Sequence, residues 1–346
     1  MPDPQILTQS SILHQREDNQ QKKLKTPRRA EDDEGWRIDL RLFGHPPCTI
    51  VMVRLARRGK MNKIVPCLWL QERAQEAVSF WLQAFENGHE RMRNYYPDDR
   101  HLPRGTVMTV DFSLWDCELL ALNGDAKMPF SPAQFLRVDC SSRERLERLW
   151  AALSEGGSEL MALDSYPFSD CFGWLADPFG LNWQLRLADR DEIAPGMMFC
   201  DALYGRGNEA IAAWGNALAP CEREEAILNP DGTLQQSRFL LCGQPFLLQE
   251  NDHSHDFVLS SAFSLCVWCD SQNEIDRLWR ILGEGGQEIA CGWLRDAFGQ
   301  CWQILPRELP MLLDGRQQHK AYQVMQALYP MKKIDLQQLH DAWLNA

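Results

Sequence analysis

No apolar run in this 346-residue chain reaches the roughly 18 residues that a membrane-spanning helix needs. Met1 to Lys25 is polar and Gln-rich, without the basic-then-apolar order of a secretory leader. Together these absences predict a cytoplasmic protein with no membrane partner. Familiar catalytic signatures are missing too: there is no P-loop, no G-x-S-x-G and no H-E-x-x-H. The twelve cysteines are scattered. The one C-x-x-C, Cys266-Val-Trp-Cys269, lies in a strand-like run, where residues three apart face opposite sides. A single ion could not easily take both thiols, so reduced, structural cysteines are expected. His253-Ser-His255 is a dense histidine pair, but in a polar loop expected to face solvent.

Charge is distributed unevenly. Residues 1–60 hold 12 Lys and Arg against 8 Asp and Glu, while the whole chain is −12, so residues 61–346 carry −16. An acidic body argues against nucleic acid as a partner. Residues 15–25 and 28–34 are charge blocks with almost nothing to bury, and the first 60 residues are expected to be disordered. Residues 49–55 are a short apolar stretch that reads as a strand or nothing. The composition changes at Met61, which suggests that the true start lies there and that the first 60 residues are a mis-annotated extension.

From Met61 the chain repeats. Residues 73–85 match 206–218, both with helical spacing. Leu146, Leu149, Trp150 and Leu153 match Ile275, Leu278, Trp279 and Leu282, each set one buried helix stripe. Ser141 with Glu144, and Ser271 with Glu274, offer capping boxes, and Gly156-Gly157 and Gly285-Gly286 end the helices. Segments 106–114, 118–122, 237–241 and 245–249 read as strands. Both copies close on one hairpin, Gly173-Trp174-Leu175 to Trp183-Gln184-Leu185 and Gly292-Trp293-Leu294 to Trp302-Gln303-Ile304. The turns, Asp177-Pro-Phe-Gly180 and Asp296-Ala-Phe-Gly299, have type I chemistry. Copy one holds ten extra residues within 163–171. Each copy reads βαβββ–βαβββ, an α+β fold. The tail from Arg316 reads as helical and docked, with a capping box at Asp335 and Gln338.

The Leu68-Trp69 strand, Arg148-Leu-Trp150 and Arg277-Leu-Trp279, the Glu-Gly-Gly helix ends and the repeated G-W-L-x-D-x-F-G-x-x-W-Q hairpin together resemble the PhnB-like family. This family carries the label 3-demethylubiquinone-9 3-methyltransferase domain and belongs to the vicinal oxygen chelate (glyoxalase/bleomycin-resistance) superfamily. The likeness spans about residues 62–310 and extends into the tail. It implies two glyoxalase-like domains, 61–192 and 197–310, each of paired βαβββ units forming a half-open barrel, followed by a helical tail, 311–346. It also implies pairing of the two copies as an intramolecular pseudo-dimer, with a homodimer of chains as a further option.

Metal-using relatives hold a divalent ion on the first and last strands of each half-module. Carried over, those positions offer Glu118, Gln184, Asp201 and Gln303 but no complete ligand set, so no metal and no other cofactor is assigned. A methyl donor would need a glycine-rich turn after a parallel strand. Gly205-Arg-Gly207 reads instead as a turn before a helix, with no βαβ unit after it. Trp150 and Trp279 read as core, whereas the hairpin tryptophans divide between core and cleft wall. The candidate cleft residues are Trp69, Glu118, Trp174, Trp183, Gln184, Asp201, Trp293, Trp302 and Gln303. They favour a protein that binds a small apolar or aromatic molecule. The alternatives are a metal-dependent lyase, isomerase or dioxygenase, or a chain in which one copy has become scaffold, since Phe80 faces Ala213 and Phe85 faces Leu218.

Overall fold

The computed structural model describes residues 62–255 and 258–346, and the backbone of 36–43 and 50–57. The chain divides into two units, 1–61 and 62–346. In the first, β1 (Trp36–Phe43) pairs antiparallel with β2 (Ile50–Arg57), in register from Trp36↔Arg57 to Phe43↔Ile50. These strands lie within the segment 1–60, and the stretch 49–55, read from the sequence as a strand or nothing, overlaps β2. The rest of that segment lies outside the described residues.

The second unit holds four βαβββ modules. The first is β3 (Ile64–Trp69), α1 (Ala74–Ala84), β4 (His89–Tyr95), β5 (Val107–Leu114) and β6 (Cys117–Leu122). The second is β7 (Gln134–Cys140), α2 (Arg143–Ser154), β8 (Ser158–Tyr166), β9 (Ser169–Ala176) and β10 (Asn182–Leu187). Copy two supplies β11 (Glu192–Phe199), α3 (Gly207–Ala217), β12 (Cys221–Leu228), β13 (Leu234–Leu241) and β14 (Gln244–Glu250). Its closing module is β15 (Phe263–Cys269), α4 (Gln272–Leu282), β16 (Gln287–Glu288), β17 (Trp293–Arg295) and β18 (Cys301–Pro306). The tail forms α5 (Leu309–Leu312), α6 (Gln318–Leu328) and α7 (Leu336–Leu344).

The modules share sheets across the copies. One eight-stranded sheet runs β16-β17-β18-β15-β3-β6-β5-β4, the other β12-β13-β14-β11-β7-β10-β9-β8. The first and fourth modules therefore join through antiparallel β3 and β15, and the second and third through β7 and β11. All four joining strands are almost wholly buried, so their sequences read as continuous apolar runs rather than alternating ones. The fold is the α+β, two-copy one expected. The sheets are open, not closed barrels, and residues 62–346 form one compact unit.

The repeated hairpin is what ties the modules together. In its first copy the buried Asp177 carboxylate accepts from the indole N–H of Trp183 (2.9 Å), from that of Trp81 on α1 (2.7 Å), and from the backbone of Phe179 and Leu181. Asp296 repeats the pattern with Trp302, Trp214 on α3, Phe298 and Gln300. Burial pushes both carboxyls up, against the pull of these donors. Gly180 and Gly299 close the turns with positive φ, +84° and +89°, where a side chain would be strained. Helix capping follows the expected chemistry with one change. Ser271 caps α4 by accepting from Glu274 N, but the cap of α2 is Ser142, accepting from Arg145 N, not Ser141. Ser141 donates to Asp191 instead.

The ten extra residues of copy one lengthen β8 and β9 into an eight- to nine-residue hairpin, where β16 and β17 have two and three residues. In copy two the tail takes up the backbone groups beside that short hairpin: Cys291 N and Gly292 N donate to Met331 O and Lys332 O, both at 2.7 Å.

Candidate functional site

The sheet of the first and fourth modules curls around a cavity of about 390 Å³. Trp69 from β3, Trp268 from β15 and Trp293 from β17 supply aromatic wall, with Met92, Met108, Leu120 and Leu122 beside them. The tail closes it through Leu309, Pro310, Leu313, Met325, Leu328 and Tyr329. Trp69 stands edge-on to Trp293, 6.3 Å between ring centroids, and its indole N–H donates to Ala126 O at 2.8 Å. A Cβ at Gly124 would lie 2.1 Å from the Trp69 ring, so that glycine makes room for the tryptophan.

Polar groups are few. Gln303 Nε2 donates to Ser264 Oγ at 2.9 Å at the cavity floor. Asp111 takes Arg91 Nε at 2.9 Å, and Arg91 also pairs with Glu118. Tyr96 donates to Asn123 O at 2.7 Å, and burial raises its pKa to about 12, so it stays neutral. His101 Nδ1 and Asp125 Oδ2 lie 3.1 Å apart at one edge, and Tyr329 donates to Asp98 Oδ1 at 3.0 Å.

The other sheet, built from the same module types, shows a different face. Cα register makes the comparison residue by residue. Gln303 sits opposite Cys266, and Gln184 opposite Arg137. One rung on, Leu305 faces Trp268, while Arg186 faces Asp139. On the partner module Asp111 and Arg238 hold matching rungs, opposite Leu120 and Leu247. The second face is therefore cross-linked by charge: Arg186 pairs Asp139 (2.9 and 2.6 Å) and Arg238 pairs Glu192 (2.8 Å). Next to these pairs, Phe135, Ala194, Met198, Cys200 and Leu247 pack against Trp174.

The structure brings Trp69, Trp293 and Gln303 together in the cavity wall. Trp174 and Gln184 lie in the other sheet. Each hairpin splits its two tryptophans, Trp183 and Trp302 into the core, fully buried, and Trp174 and Trp293 onto the curved face. Glu118 is spent on Arg91 and on the Asn62 backbone. Asp201 sits in an exposed turn with positive φ, accepting from His255 N at 3.3 Å. Of the histidine pair expected to face solvent, His253 is exposed, with its side chain 80% accessible, whereas His255 is half-buried. Met92, Asn94 and Asp111 also line the cavity without being among the residues the sequence singles out: Met92 and Asn94 lie two apart on β4, but bulges there interrupt the alternation. The closing role of the tail had no signal beyond its apolar residues.

A divalent ion fits neither sheet. Among the described residues no three His, Cys, Asp or Glu side chains converge to hold one. In the first sheet the strand positions offer Cys67, Cys266, Gln303 and Glu118, of which Glu118 is paired with Arg91, and burial pushes the Cys266 thiol well up, keeping it neutral. In the second, Gln184 Oε1, the atom that would ligate, accepts from Arg137 Nε and Nη2 at 3.1 and 2.6 Å. Burial lowers the Arg137 pKa to about 10, which leaves it charged at neutral pH and repels a metal cation. A methyl-donor turn is equally ill-suited: Gly207 opens α3 with its N–H donated to the Glu250 carboxylate, and a Cβ there would lie 2.7 Å from Glu250 Oε1.

Comparison with known proteins gives a consistent picture. The family model described as 3-demethylubiquinone-9 3-methyltransferase matches residues 62–186 and 217–305. A PhnB protein from Bacillus cereus is 33% identical over 37% of this chain and all of its own, with a TM-score of 0.35. A glyoxalase I variant from Zea mays shares the fold at 12% identity, covering 73% of this chain and 94% of its own, with a TM-score of 0.50. No curated protein matches the sequence.

Proposed function

The chain belongs to the 3-demethylubiquinone-9 3-methyltransferase family, PhnB-like proteins of the vicinal oxygen chelate superfamily, and from that premise we propose that it binds one small apolar or aromatic molecule in the cavity of its first sheet. The observation that carries this is the wall itself. Three tryptophans and a run of Met and Leu side chains surround about 390 Å³, within the roughly 300–1,000 Å³ of small-molecule sites. Hydrophobic transfer would drive entry, and the tryptophan edges and faces would select flat rings. The donor chemistry, with no three His, Cys, Asp or Glu side chains converging among the described residues and Gln184 Oε1 held by Arg137, supports binding or sequestration over metal-assisted lyase, isomerase or dioxygenase chemistry. A cytoplasmic setting suits the eleven free thiols among the described residues. No helix among those residues is long and apolar enough to cross a membrane.

Calorimetric titration of the full chain with a neutral aromatic alcohol, 2-(1-naphthyl)ethanol, tests the proposal. Saturable binding that Trp293→Ala weakens about tenfold is expected. Absence of binding, or binding indifferent to Trp293, would refute it.

A further inference from the structure

Asn94 lines the cavity from β4 and is only 4% exposed. Its Nδ2 donates to Pro310 O, on the tail, at 3.2 Å. That bond settles the orientation of the amide, because a carbonyl oxygen accepts from the nitrogen end and cannot pair with the oxygen end. It leaves Oδ1 buried with no hydrogen-bond partner. Other donors of the wall are committed elsewhere: the Tyr96 hydroxyl to Asn123 O at 2.7 Å, the Trp69 indole to Ala126 O at 2.8 Å, and Gln303 Nε2 to Ser264 Oγ at 2.9 Å. Between Met92 and Asn94 the β4 register is regular, so the two share a face of the strand, and Met92 lines the same cavity. The unpaired acceptor therefore belongs to the apolar volume. A buried acceptor without a donor is destabilising, and a ligand that brings the donor removes that cost.

We propose that the ligand carries a hydrogen-bond donor, a hydroxyl or an N–H, on its ring-bearing body and presents it to Asn94 Oδ1, which makes Asn94 the residue that sets specificity in the cavity. Such a site discriminates against an otherwise similar molecule that lacks the donor, since binding that molecule leaves the acceptor sealed from water and still unpaired. An ether oxygen at the same place would set its lone pairs against Oδ1. This inference rests on the binding proposal above and adds the donor to it.

The test is calorimetric titration of the full chain with 2-(1-naphthyl)ethanol and with its methyl ether, which keeps the ring and loses the donor. The alcohol is expected to bind about tenfold more tightly than the ether. Asn94→Leu, close to asparagine in size and without an acceptor, is expected to bring the two compounds within about twofold of each other. Asn94→Asp keeps an acceptor but gives up the bond to Pro310, and is expected to retain the preference for the alcohol. Loss of the preference in that variant would trace it to the tail contact and overturn the assignment to Oδ1, as would a preference that survives Asn94→Leu. Equal affinities on the unaltered chain would mean that water serves Oδ1 as well as a ligand does; that result overturns the donor assignment, whether or not a variant folds, and leaves apolar binding standing. Failure of both compounds to bind overturns both proposals.

Discussion

The two eight-stranded sheets of this chain are each assembled from two modules of one type, and they differ where it matters. Their common part is the hairpin network, in which Asp177 and Asp296 each gather two indoles and two backbone amides. Their divergent part is the curved face. Cys266, Trp268 and Leu305 in one sheet stand where Arg137, Asp139 and Arg186 stand in the other. The tail covers the apolar face, not the charged one. What both sheets retain serves the fold. What distinguishes the first sheet, an apolar volume with the tail over it, is where the proposed ligand would sit.

The largest expected effects test the shared part. Asp177→Ala and Asp296→Ala should each cost about 3–5 kcal/mol in denaturant unfolding, since each strands several buried donors. Unequal costs would show that the hairpins are not equivalent. Next comes a graft of one face onto the other. Cys266→Arg places an unpaired guanidinium in the apolar sheet and should destabilise by about 3 kcal/mol while abolishing ring binding. A stable variant that still binds would show that the face tolerates charge. Smaller effects separate the two curved-face tryptophans: Trp293→Ala should weaken the aromatic alcohol about tenfold, and Trp174→Ala should leave it within twofold.

The smallest effect concerns the tail. His340 on α7 is hydrogen-bonded to Glu308, and that bond raises the histidine's pKa above its ordinary value, against the opposing pull of burial. A raised pKa in the folded state means the contribution is complete below about pH 6.5 and fades as pH rises through the folded value. The protection of α7 amides, taken relative to their intrinsic exchange rate at each pH, should therefore be greater at pH 6 than at pH 8, and His340→Gln should remove that difference in protection.

Much of the fold was legible in the sequence because local chemistry specifies it. Asp-x-Phe-Gly turns, Ser271 before α4 and the i, i+3, i+4, i+7 stripes act within a few residues. Which modules share a sheet was not legible. β3, β7, β11 and β15 are all buried on both faces, so no alternation distinguishes one partner from another. The site was legible only in part. Trp69, Trp293 and Gln303 lie in recognisable motifs. Asn94 and Asp111 lie on strands whose bulges and mixed burial hide which residues face inward. Asp201 and Glu118 were chosen by carry-over from metal-using relatives, and here one turns a corner while the other neutralises Arg91.

The central claim is that one sheet of the two holds a ligand. Its most direct test is binding stoichiometry, by calorimetry with 2-(1-naphthyl)ethanol on the full chain and on Trp293→Ala and Trp174→Ala. One molecule per chain, weakened by the first substitution and untouched by the second, is the predicted result. Two molecules per chain, or binding that depends on Trp174 instead, would contradict it.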